Sequence, residues 1–421
     1  MEPSAQVNVA APPSKWQRRI ILKMQATCRT RTTKGNSYMF DTKLTRRSVL
    51  VAGATTALAM PFVRPSWAAP DTVRALMWEA YLLPDQITAF EEANKVKFVP
   101  SFFDGNSEAY NKLRVGGSKE FDLVQADGFW PQLYFREGLL RAVDYSKVPN
   151  ASGYLPEFEA EAFKVLSDPK SGKKIGFPFC WGAYGITYDA GKVQPERTET
   201  LECMFSSDYS GMLSTSARFE ENIALAALLV TDRLGSRDKP RPDGKPFNPY
   251  VLSDEELAEV EKLLIQQKSL LLTRYQDNPT LFQLLQSGAV VAATEFAQVF
   301  RQLLTAEAQG AAPVDFRHAL KMKEGGLGWV DTWLVTSGVQ DGAKFDLCNS
   351  FIDLMISPAV MKKIGEVAGC STTVDLRSIS NETERKLFLM DRSNEIADLF
   401  MFDQPSSPEK WERVWSNVQA A

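Results

Sequence analysis

Residues 73–102 have the sequence VRALMWEAYLLPDQITAFEEANKVKFVPSF, in which two short apolar runs flank a helical pattern. The first run, 73–77, predicts a strand. Pro84 suits the first turn of a helix, where its missing N–H breaks no hydrogen bond, and apolar residues recur after it at helical spacing. The second run, 96–102, predicts another strand. A strand–helix–strand order of this kind predicts an α/β fold.

The same alternation continues beyond this stretch. The pattern predicts helices at 108–113 and 131–137 and a strand at 122–124, with Gly138 ending the last helix. Repeated strand–helix units are typical of a doubly wound sheet, in which ligands bind beyond the carboxyl ends of the strands. The loops expected at these ends are 78–83, 103–106 and 125–129.

A second α/β region is predicted further along the chain. The segment 253–256 (SDEE) is a capping-box pattern at the start of a helix. Another helix is expected to begin at Asn278 and end at Gly288, and residues 289–293 predict a small strand. Between the two regions, residues 236–248 (SRDKPRPDGKPFN) are rich in Pro, Gly and charge, which is typical of an exposed loop. The chain therefore divides into two α/β parts without a long flexible linker.

Charge is distributed unevenly over the 421 residues. The chain has a formal net charge of −4, with 48 Lys and Arg against 52 Asp and Glu. The first 68 residues contain eleven Lys or Arg and two acids, Glu2 and Asp41, so they carry +9 and the remainder carries −13. Recognition of nucleic-acid phosphates depends on clustered Lys and Arg. We therefore expect no nucleic-acid partner for the acidic main body.

The basic stretch, residues 1–68, has the features of an N-terminal extension with a twin-arginine signal peptide. Arg46 and Arg47 precede an apolar run at 49–63, which is shorter than the roughly 20 residues that span a bilayer. Small residues up to Ala68 supply a cleavage site. A signal of this type exports folded proteins to the periplasm. We expect a mature, monomeric protein that begins after Ala68 and has no stable membrane insertion.

Motifs of enzymes and metal sites are scarce in the sequence. His318 is its one histidine, which disfavours histidine-built metal sites and a Ser-His-Asp triad. No glycine-rich phosphate loop follows a predicted strand, and the glycines at 325–328 predict a turn into a strand instead. The sequence therefore predicts a non-enzyme with no catalytic residue, no metal and no cofactor. An enzyme with a bound cofactor, exported by the twin-arginine route, is the alternative.

The cysteines leave the redox state of the mature protein open. Cys180, Cys203, Cys348 and Cys370 follow the predicted cleavage site, and their spacing contains no CxxC motif. An oxidising compartment permits disulfides, and four cysteines allow three pairings. The spacing does not choose among these pairings, and buried free thiols are the simplest expectation.

Aromatic residues stand beside isolated acids at several predicted loops. An aromatic face attracts an ammonium group, and a carboxylate supplies charge and hydrogen-bond acceptors. The alternative is that these side chains are ordinary core residues, but the recurrence of the pattern favours a binding site for an organic cation. The four clusters are Trp78 and Tyr81 with Glu79, Phe129 with Asp127, Phe296 with Glu295, and Trp329 with Asp331.

An ordered series of short motifs resembles the periplasmic spermidine/putrescine-binding proteins of ABC importers, within the extracellular solute-binding protein family. The similarity extends over about residues 71–418. The motifs are Trp78-x-x-Tyr81, Leu113-Arg114-x-Gly116-Gly117, Phe121-Asp122-Leu123-Val124, Glu137-Gly138-Leu139-Leu140-x-x-x-Asp144, Pro178-x-x-Trp181-Gly182-x-x-Gly185 and Trp329-x-Asp331.

The resemblance implies a two-lobed α/β fold, in which each lobe is a mixed sheet with flanking helices and hinge crossings join the lobes. The first lobe would combine 71–181 with about 330–373, and the second 182–329 with about 374–421. A polyamine-like cation would bind in the cleft and be delivered to the permease subunits of the importer. The cleft residues that the family implies are Trp78, Tyr81, Asp127, Phe129, Trp329 and Asp331, with Asp331 binding an amine group.

The chain departs from the polyamine binders in its second lobe. Ser216 and Phe219 stand where that family has acids, Phe296 stands in place of a Trp, and Cys370 in place of a Tyr. The loss of two carboxylates removes charge that a buried ammonium group needs. The ligand is therefore either a polyamine held by relocated acids or a cation with fewer charges.

Three acids could supply the charge of the two missing carboxylates, namely Glu79, Asp127 and Glu295. A receptor for an anion or a metal on the same scaffold is a weaker alternative, supported by Arg218 alone. The complete predicted ligand-binding set is Trp78, Glu79, Tyr81, Asp127, Phe129, Ser216, Glu295, Phe296, Trp329 and Asp331.

Overall fold

The computed structural model describes residues 72–239, 244–311 and 313–421, which belong to one unit, Ser66–Ala421. The predicted signal peptide, its twin arginines and the cleavage site at Ala68 lie outside the described residues. Where it is described, the predicted loop 236–248 is exposed or half-buried. Among the helices of these ranges, none is both long and apolar enough to cross a membrane.

The described residues contain eleven strands joined in one mixed sheet. Their bounds follow the predicted alternation closely in the first part of the chain. The strands are β1 (Thr72–Met77), β2 (Lys97–Phe102), β3 (Leu123–Ala126), β4 (Phe177–Asp189), β5 (Leu213–Ser216), β6 (Leu271–Tyr275), β7 (Ala292–Glu295), β8 (Phe316–Ala319), β9 (Gly326–Val335), β10 (Ser371–Thr372) and β11 (Leu399–Met401).

The sheet has two halves that share one long strand. The main order is β2-β1-β3-β9-β4-β7-β5-β6, with β8 and β10 paired to β4 and β11 paired to β9. Strand β1 is parallel to β2 and β3, and β5 is parallel to β6 and β7, whereas β4 is antiparallel to both β9 and β7. All thirteen residues of β4 are buried, so this strand runs through the middle of the molecule.

Twelve α-helices flank the sheet in the described part of the chain. Short 3₁₀ turns connect several of them, and a π-type turn, Leu113–Gly117, follows the second. The helices are α1 (Pro84–Asn94), α2 (Asn106–Lys112), α3 (Ser118–Glu120), α4 (Trp130–Arg136), α5 (Phe219–Arg233), α6 (Asp254–Lys268), α7 (Asn278–Gln286), α8 (Gln298–Ala308), α9 (Ala343–Met355), α10 (Pro358–Ala368), α11 (Glu382–Leu387) and α12 (Pro408–Ala420).

Local sequence signals account for several helix ends. Helix α1 begins with Pro84, as predicted. The capping box before α6 is complete: Ser253 Oγ accepts from the Glu256 N–H, and Glu256 Oε2 accepts from the Ser253 N–H. The small strand predicted at 289–293 lies instead at Ala292–Glu295, so Glu295 belongs to a strand and not to the loop after it.

Two large hydrophobic clusters define two lobes, and a third, smaller cluster of the described residues is formed by β6, α7, β7, α8 and β8. The first cluster contains β1, β3, α9 and the first half of β4 up to Ala183, and the second contains α5, α6 and β4 from Tyr184 onward. Helix α12 packs in the second cluster through Trp411 and Trp415. Two separate cores connected by β4 and β9 are the two-lobed α/β fold that the sequence predicts.

The segment between the last hinge crossing and β11 packs with the first lobe. Val374, Phe388 and Ile396 are buried in the first cluster, although the bounds stated above assign residues from about 374 to the second lobe. The physical reason is that 374–398 follow β10, which pairs with the first half of β4. The chain returns to the second cluster only after β11.

Candidate functional site

A cavity of about 1130 Å³ lies between the two hydrophobic clusters. The carboxyl ends of the parallel strands of both lobes face it: the loops after β1, β2 and β3 from the first lobe, and those after β5, β6 and β7 from the second. The middle of β9 and the segment after β11 complete the lining. The cavity therefore lies at the strand ends where an α/β sheet binds ligands.

Asp331 lies in this cavity and is almost completely buried. The hydroxyl of Tyr81 donates a hydrogen bond to Asp331 Oδ2. Burial raises the pKa of Asp331 well above its ordinary value, and the nearby Asp127 adds to this, while contacts with Tyr81 and Trp78 act in the opposite direction. The direction of this shift favours the protonated form of Asp331 in the absence of a neighbouring cation.

Asp127 is the second acid that the first lobe places in the cavity. It follows β3, and Asn106 Nδ2 donates to its Oδ1 over 2.6 Å. Burial raises the pKa of Asp127 to about 6, although the hydrogen bond from Asn106 and the charge of Arg218 lower it. Because Arg218 belongs to the second lobe, the charges of the two lobes act on each other across the cavity.

Two tryptophans, Trp78 and Trp329, form aromatic walls of the cavity. The ring of Trp78 packs against Phe103 with a centroid distance of 4.3 Å. Trp329 lies opposite Gly182 in the β4–β9 ladder, and its indole lies directly over the Cα of that glycine. In the described part of the chain, the buried Nε1 of Trp329 has no acceptor. The side chains of both tryptophans line the cavity.

The second lobe contributes aromatic rings and a short polar edge. Phe296 lies in the cavity, with its ring 4.8 Å from that of Tyr184 and 5.9 Å from that of Phe402. Ser216 is buried, and its Oγ accepts from the Arg218 N–H over 3.3 Å. The serine is therefore engaged with the backbone at the start of α5, and it supplies no charge.

Glu221, in the first turn of α5, provides an acid where Ser216 and Phe219 do not. It lines the cavity, it is 6% exposed, and its Oε2 is buried without a hydrogen-bond partner among the described residues. Its other carboxylate oxygen lies 3.8 Å from Arg218 Nη1. Burial raises the pKa of Glu221 to about 7, and Arg218 opposes this. The site thus has a buried acid in each lobe, Asp331 and Glu221, and neither forms a close ion pair with a basic side chain among the described residues.

The cavity as a whole is strongly acidic. Among the described residues that line it, eight have carboxylate side chains and one, Arg218, has a basic side chain. Low-dielectric walls strengthen the field of such a cluster and concentrate cations. Within the lining, the acids are Asp104, Asp127, Glu220, Glu221, Asp277, Asp331, Asp403 and Glu412.

Seven of the ten predicted ligand-binding residues line the cavity. An eighth, Tyr81, does not line it but donates a hydrogen bond to Asp331, which does. The remaining two are located elsewhere. Glu79 is exposed on a short 3₁₀ turn and does not line the cavity. The seven are Trp78, Asp127, Phe129, Ser216, Phe296, Trp329 and Asp331.

Glu295 is the other predicted residue that lies away from the cavity. It is buried in the second lobe, where Thr187 and the N–H groups of Val299 and Phe300 donate to its carboxylate. It therefore caps the start of α8, because its strand extends two residues further than predicted and places its side chain in the core. His318 is close by, with Nδ1 at 2.8 Å from Thr187 Oγ1, and is likewise a core residue.

Several cavity residues were not predicted from the sequence, Glu221 above all. Acid pairs such as Glu220 and Glu221 on a helix are usually solvated. The sequence does contain an indication that Glu221 is not solvated. Residues 223–230 (IALAALLV), shortly after it, are apolar on every side of the helix. A helix of that kind is buried all round, so the acids of its first turn do not lie on a solvated stripe.

Within the described residues, no group of three or more His, Cys, Asp and Glu side chains is arranged to hold a metal ion. The acids of the cavity are spread over its walls, and aromatic rings lie between them. This arrangement suits an extended organic cation, whose charged ends bind carboxylates and whose methylenes contact aromatic faces.

The chain has the same fold as solute-binding proteins of ABC importers, with a cavity between its lobes. Among solved structures, it is similar to a putative spermidine/putrescine ABC transporter protein from Listeria monocytogenes, with a TM-score of 0.62 and 19% identity, covering 83% of this chain and 99% of that one. The corresponding substrate-binding protein from Streptococcus pneumoniae gives a TM-score of 0.64 and 18% identity over the same shares.

Sequence relatives agree with this assignment. The chain is 23% identical to the spermidine/putrescine-binding periplasmic protein of Escherichia coli K12 over 330 residues, which are 77% of this chain and 83% of that protein. It is 23% identical to the protein of the same description from Salmonella typhimurium over 378 residues, 89% of this chain and 95% of that one. No protein-family model matches the chain. The resemblance predicted from the sequence motifs is confirmed.

Proposed function

We propose that the protein binds a polyamine or a closely related organic cation in the cavity between its lobes and delivers it to the permease of an ABC importer. The observation that carries this proposal is the lining of the cavity: eight acids and a set of aromatic rings against a single Arg. Relatives described as spermidine/putrescine-binding periplasmic proteins support the same ligand class.

Asp331 is the proposed anchor for one ammonium group. Tyr81 holds one carboxylate oxygen, which fixes the orientation of the group. Trp78 and Trp329 would contact the methylenes of the ligand and attract its charge through their π-faces. A charge-assisted hydrogen bond from the ammonium group then offsets the cost of ionising a buried carboxyl group.

Glu221 is the proposed anchor on the second lobe. Its buried and unpartnered Oε2 replaces, from a different position, the acids that the family has at Ser216 and Phe219. Asp127 raises the pKa of Glu221 and of Asp331 alike, so it lies within electrostatic reach of both. A ligand with two ammonium groups would neutralise this series of acids, and a ligand with one would leave part of it protonated.

An anion receptor is disfavoured by the surroundings of Arg218. Its guanidinium lies 3.8 Å from Glu221 Oε1, and its side chain is 70% exposed. Acids therefore dominate the potential around it. We also propose that the protein has no catalytic activity of its own, and the support is that its relatives are described as binding proteins.

Ligand binding is proposed to bring the lobes together about the strands that cross between them, near Trp181 and Gly182 on β4. We assign 72–181 and about 330–398 to the first lobe, and 182–329 and about 399–421 to the second, because 374–398 pack in the first cluster. Small-angle scattering tests closure: the radius of gyration should fall on addition of saturating ligand, whereas an unchanged radius argues for a rigid cleft.

We propose that the protein reaches the periplasm by the twin-arginine route, with cleavage near Ala68. The support is the sequence of residues 1–68 together with relatives that are described as periplasmic. Replacing both Arg46 and Arg47 with Lys should block export. Detection of the double variant in the periplasm at the wild-type level would contradict this route.

Calorimetric titration of the mature protein tests the proposed function. Partial unfolding and dialysis should precede it, because a tightly bound ligand can be retained through purification. Putrescine and spermidine should bind with micromolar or better affinity, and succinate, a dianion of similar length to putrescine, should give no binding heat. Binding of succinate, or no heat with either amine at millimolar concentration, would overturn the proposal.

A further inference from the structure

Two buried cysteines lie against each other in the centre of the first lobe. Cys180 is on β4, and Cys370 immediately precedes β10. Both thiols are free in this structure, and the Cys370 thiol donates to Cys180 Sγ with the two sulfur atoms 2.7 Å apart. A disulfide bond of about 2.05 Å would need an approach of less than one ångström.

The backbone around the pair is held in place on both sides of β4. Thr372 of β10 pairs with Cys180 on one side, and Asp331 of β9 pairs with Cys180 on the other. Two segments that are distant in the sequence are therefore in register at this point, so forming a bond requires no rearrangement of the strands. A cross-link here would lie beside the carboxylate proposed to anchor the ligand.

A buried positive charge lies next to the pair. Arg301 of α8 donates to Gly369 O, to the hydroxyl of Ser371 and to Leu387 O, so it holds the residues on both sides of Cys370. Burial lowers the pKa of Arg301, and Cys370, Glu295 and Cys180 act in the opposite direction, which places the guanidinium within electrostatic reach of both sulfurs. Burial and the neighbouring Cys370 raise the pKa of the Cys180 thiol well above its ordinary value, so bond formation here depends on the proximity of the two sulfur atoms and not on an activated thiolate.

We propose that Cys180 and Cys370 form a disulfide in the mature protein and cross-link β4 to the segment between α10 and β10 beside Asp331. The oxidant is a compound or protein of the disulfide class. One protein thiolate attacks its sulfur–sulfur bond and releases one thiol, and the second protein thiolate then displaces the other sulfur. The two protein thiols lose two protons and two electrons, and the oxidant gains them as two thiols.

The other two described cysteines serve as internal controls. Cys203 is buried in the second cluster and Cys348 in α9, in different parts of the molecule. The proposal therefore predicts one specific pair out of the six that these four cysteines allow, and it does not depend on the identity of the ligand.

Peptide mapping of the mature protein tests the pairing. Because both thiols are buried, the protein is refolded from denaturant in a mixture of oxidised and reduced glutathione and then denatured in an alkylating reagent without reductant. We expect a peptide that contains Cys180 linked to one that contains Cys370, with Cys203 and Cys348 alkylated, and an intact mass two hydrogens lighter than after reduction. Alkylation of all four cysteines, or a link that involves Cys203 or Cys348, would overturn the proposal.

Thermal unfolding provides a second measurement. Reduction of the oxidised protein should lower its melting temperature by about 2–6 °C. The reason is that the disulfide links two residues 190 positions apart and so restricts the unfolded chain. Cys370→Ser should melt at one temperature with or without reductant, and the matched variant Cys203→Ser should retain the wild-type difference. A wild-type melting temperature that does not respond to reductant contradicts the cross-link.

Discussion

The hydroxyl of Tyr81 donates a hydrogen bond to the carboxylate of Asp331 across 250 positions of sequence. Tyr81 follows the first strand of the sheet, and Asp331 lies within β9, one of the strands that connect the two lobes. Burial raises the pKa of each group well above its ordinary value, and the charge of Asp331 adds to the effect on Tyr81. The pair therefore presents an oriented carboxyl group to the cavity.

Replacing Asp331 with Asn should abolish tight amine binding. The substitution retains the shape of the side chain and removes the charge that an ammonium group requires, and loss of one partner of a desolvated pair costs about 3–5 kcal/mol, or at least a hundredfold in affinity. The melting temperature of the ligand-free protein should change little, since the Asn side-chain oxygen can still accept the hydrogen bond of the Tyr81 hydroxyl. Titration calorimetry with putrescine measures the affinity.

Asp346→Asn is the matched control for this variant. Asp346 is an exposed acid of the first lobe that pairs with Lys147 over 2.6 Å, away from the cavity. It should bind putrescine as the wild type does. Equal affinity in wild type and Asp331→Asn would show that the ligand is not held at this carboxylate.

Glu221→Gln should stabilise the ligand-free protein at high pH and not at low pH. The pKa of Glu221 is raised to about 7 in the folded protein, from the ordinary value of 4.5 that applies to the unfolded chain. Between these values the folded state binds a proton that the unfolded state has lost, so folding stability falls as the pH rises through this window. The full cost, present above the folded pKa, is about 3 kcal/mol.

Calorimetric unfolding at about pH 5 and about pH 8 measures this difference. The variant should melt above the wild type at the higher pH and close to it at the lower pH. Glu92→Gln, which removes an exposed acid from α1, should match the wild type at both. A stabilisation of Glu221→Gln that is equal at the two pH values would contradict the assignment.

Amine binding should release protons. A cation favours the ionised forms of Asp127, with its pKa of about 6, and of Glu221, with its pKa of about 7. At about pH 6.5 the binding heat should therefore depend on the ionisation enthalpy of the buffer, and the affinity should rise between about pH 5.5 and about pH 8. Identical binding heats in phosphate and in Tris-type buffers would show that no proton is released.

The sequence predicts the first-lobe part of the site well because that part depends on local patterns. Short apolar runs followed by turns identify the loops of Trp78 and Asp127, and parallel strands bring such loops to one edge. The errors occur where tertiary structure decides orientation. Glu295 lies in a strand that is displaced by two residues and faces the core, and Glu221 faces the cavity because α5 is buried on all sides.

The last prediction concerns Gly182, which lies at the proposed crossing between the lobes. This residue lies on β4 between the two hydrophobic clusters, and a Cβ atom added to it would be 2.6 Å from the indole of Trp329. Gly182→Ala should therefore push that indole away from its place in the cavity wall and lower putrescine affinity about tenfold, which corresponds to about 1.4 kcal/mol. The matched control is Gly153→Ala, whose added Cβ meets Val374 at an ordinary 3.5 Å and should leave binding unchanged. Titration calorimetry compares the two variants, and equal affinities in both would exclude Trp329 from ligand contact.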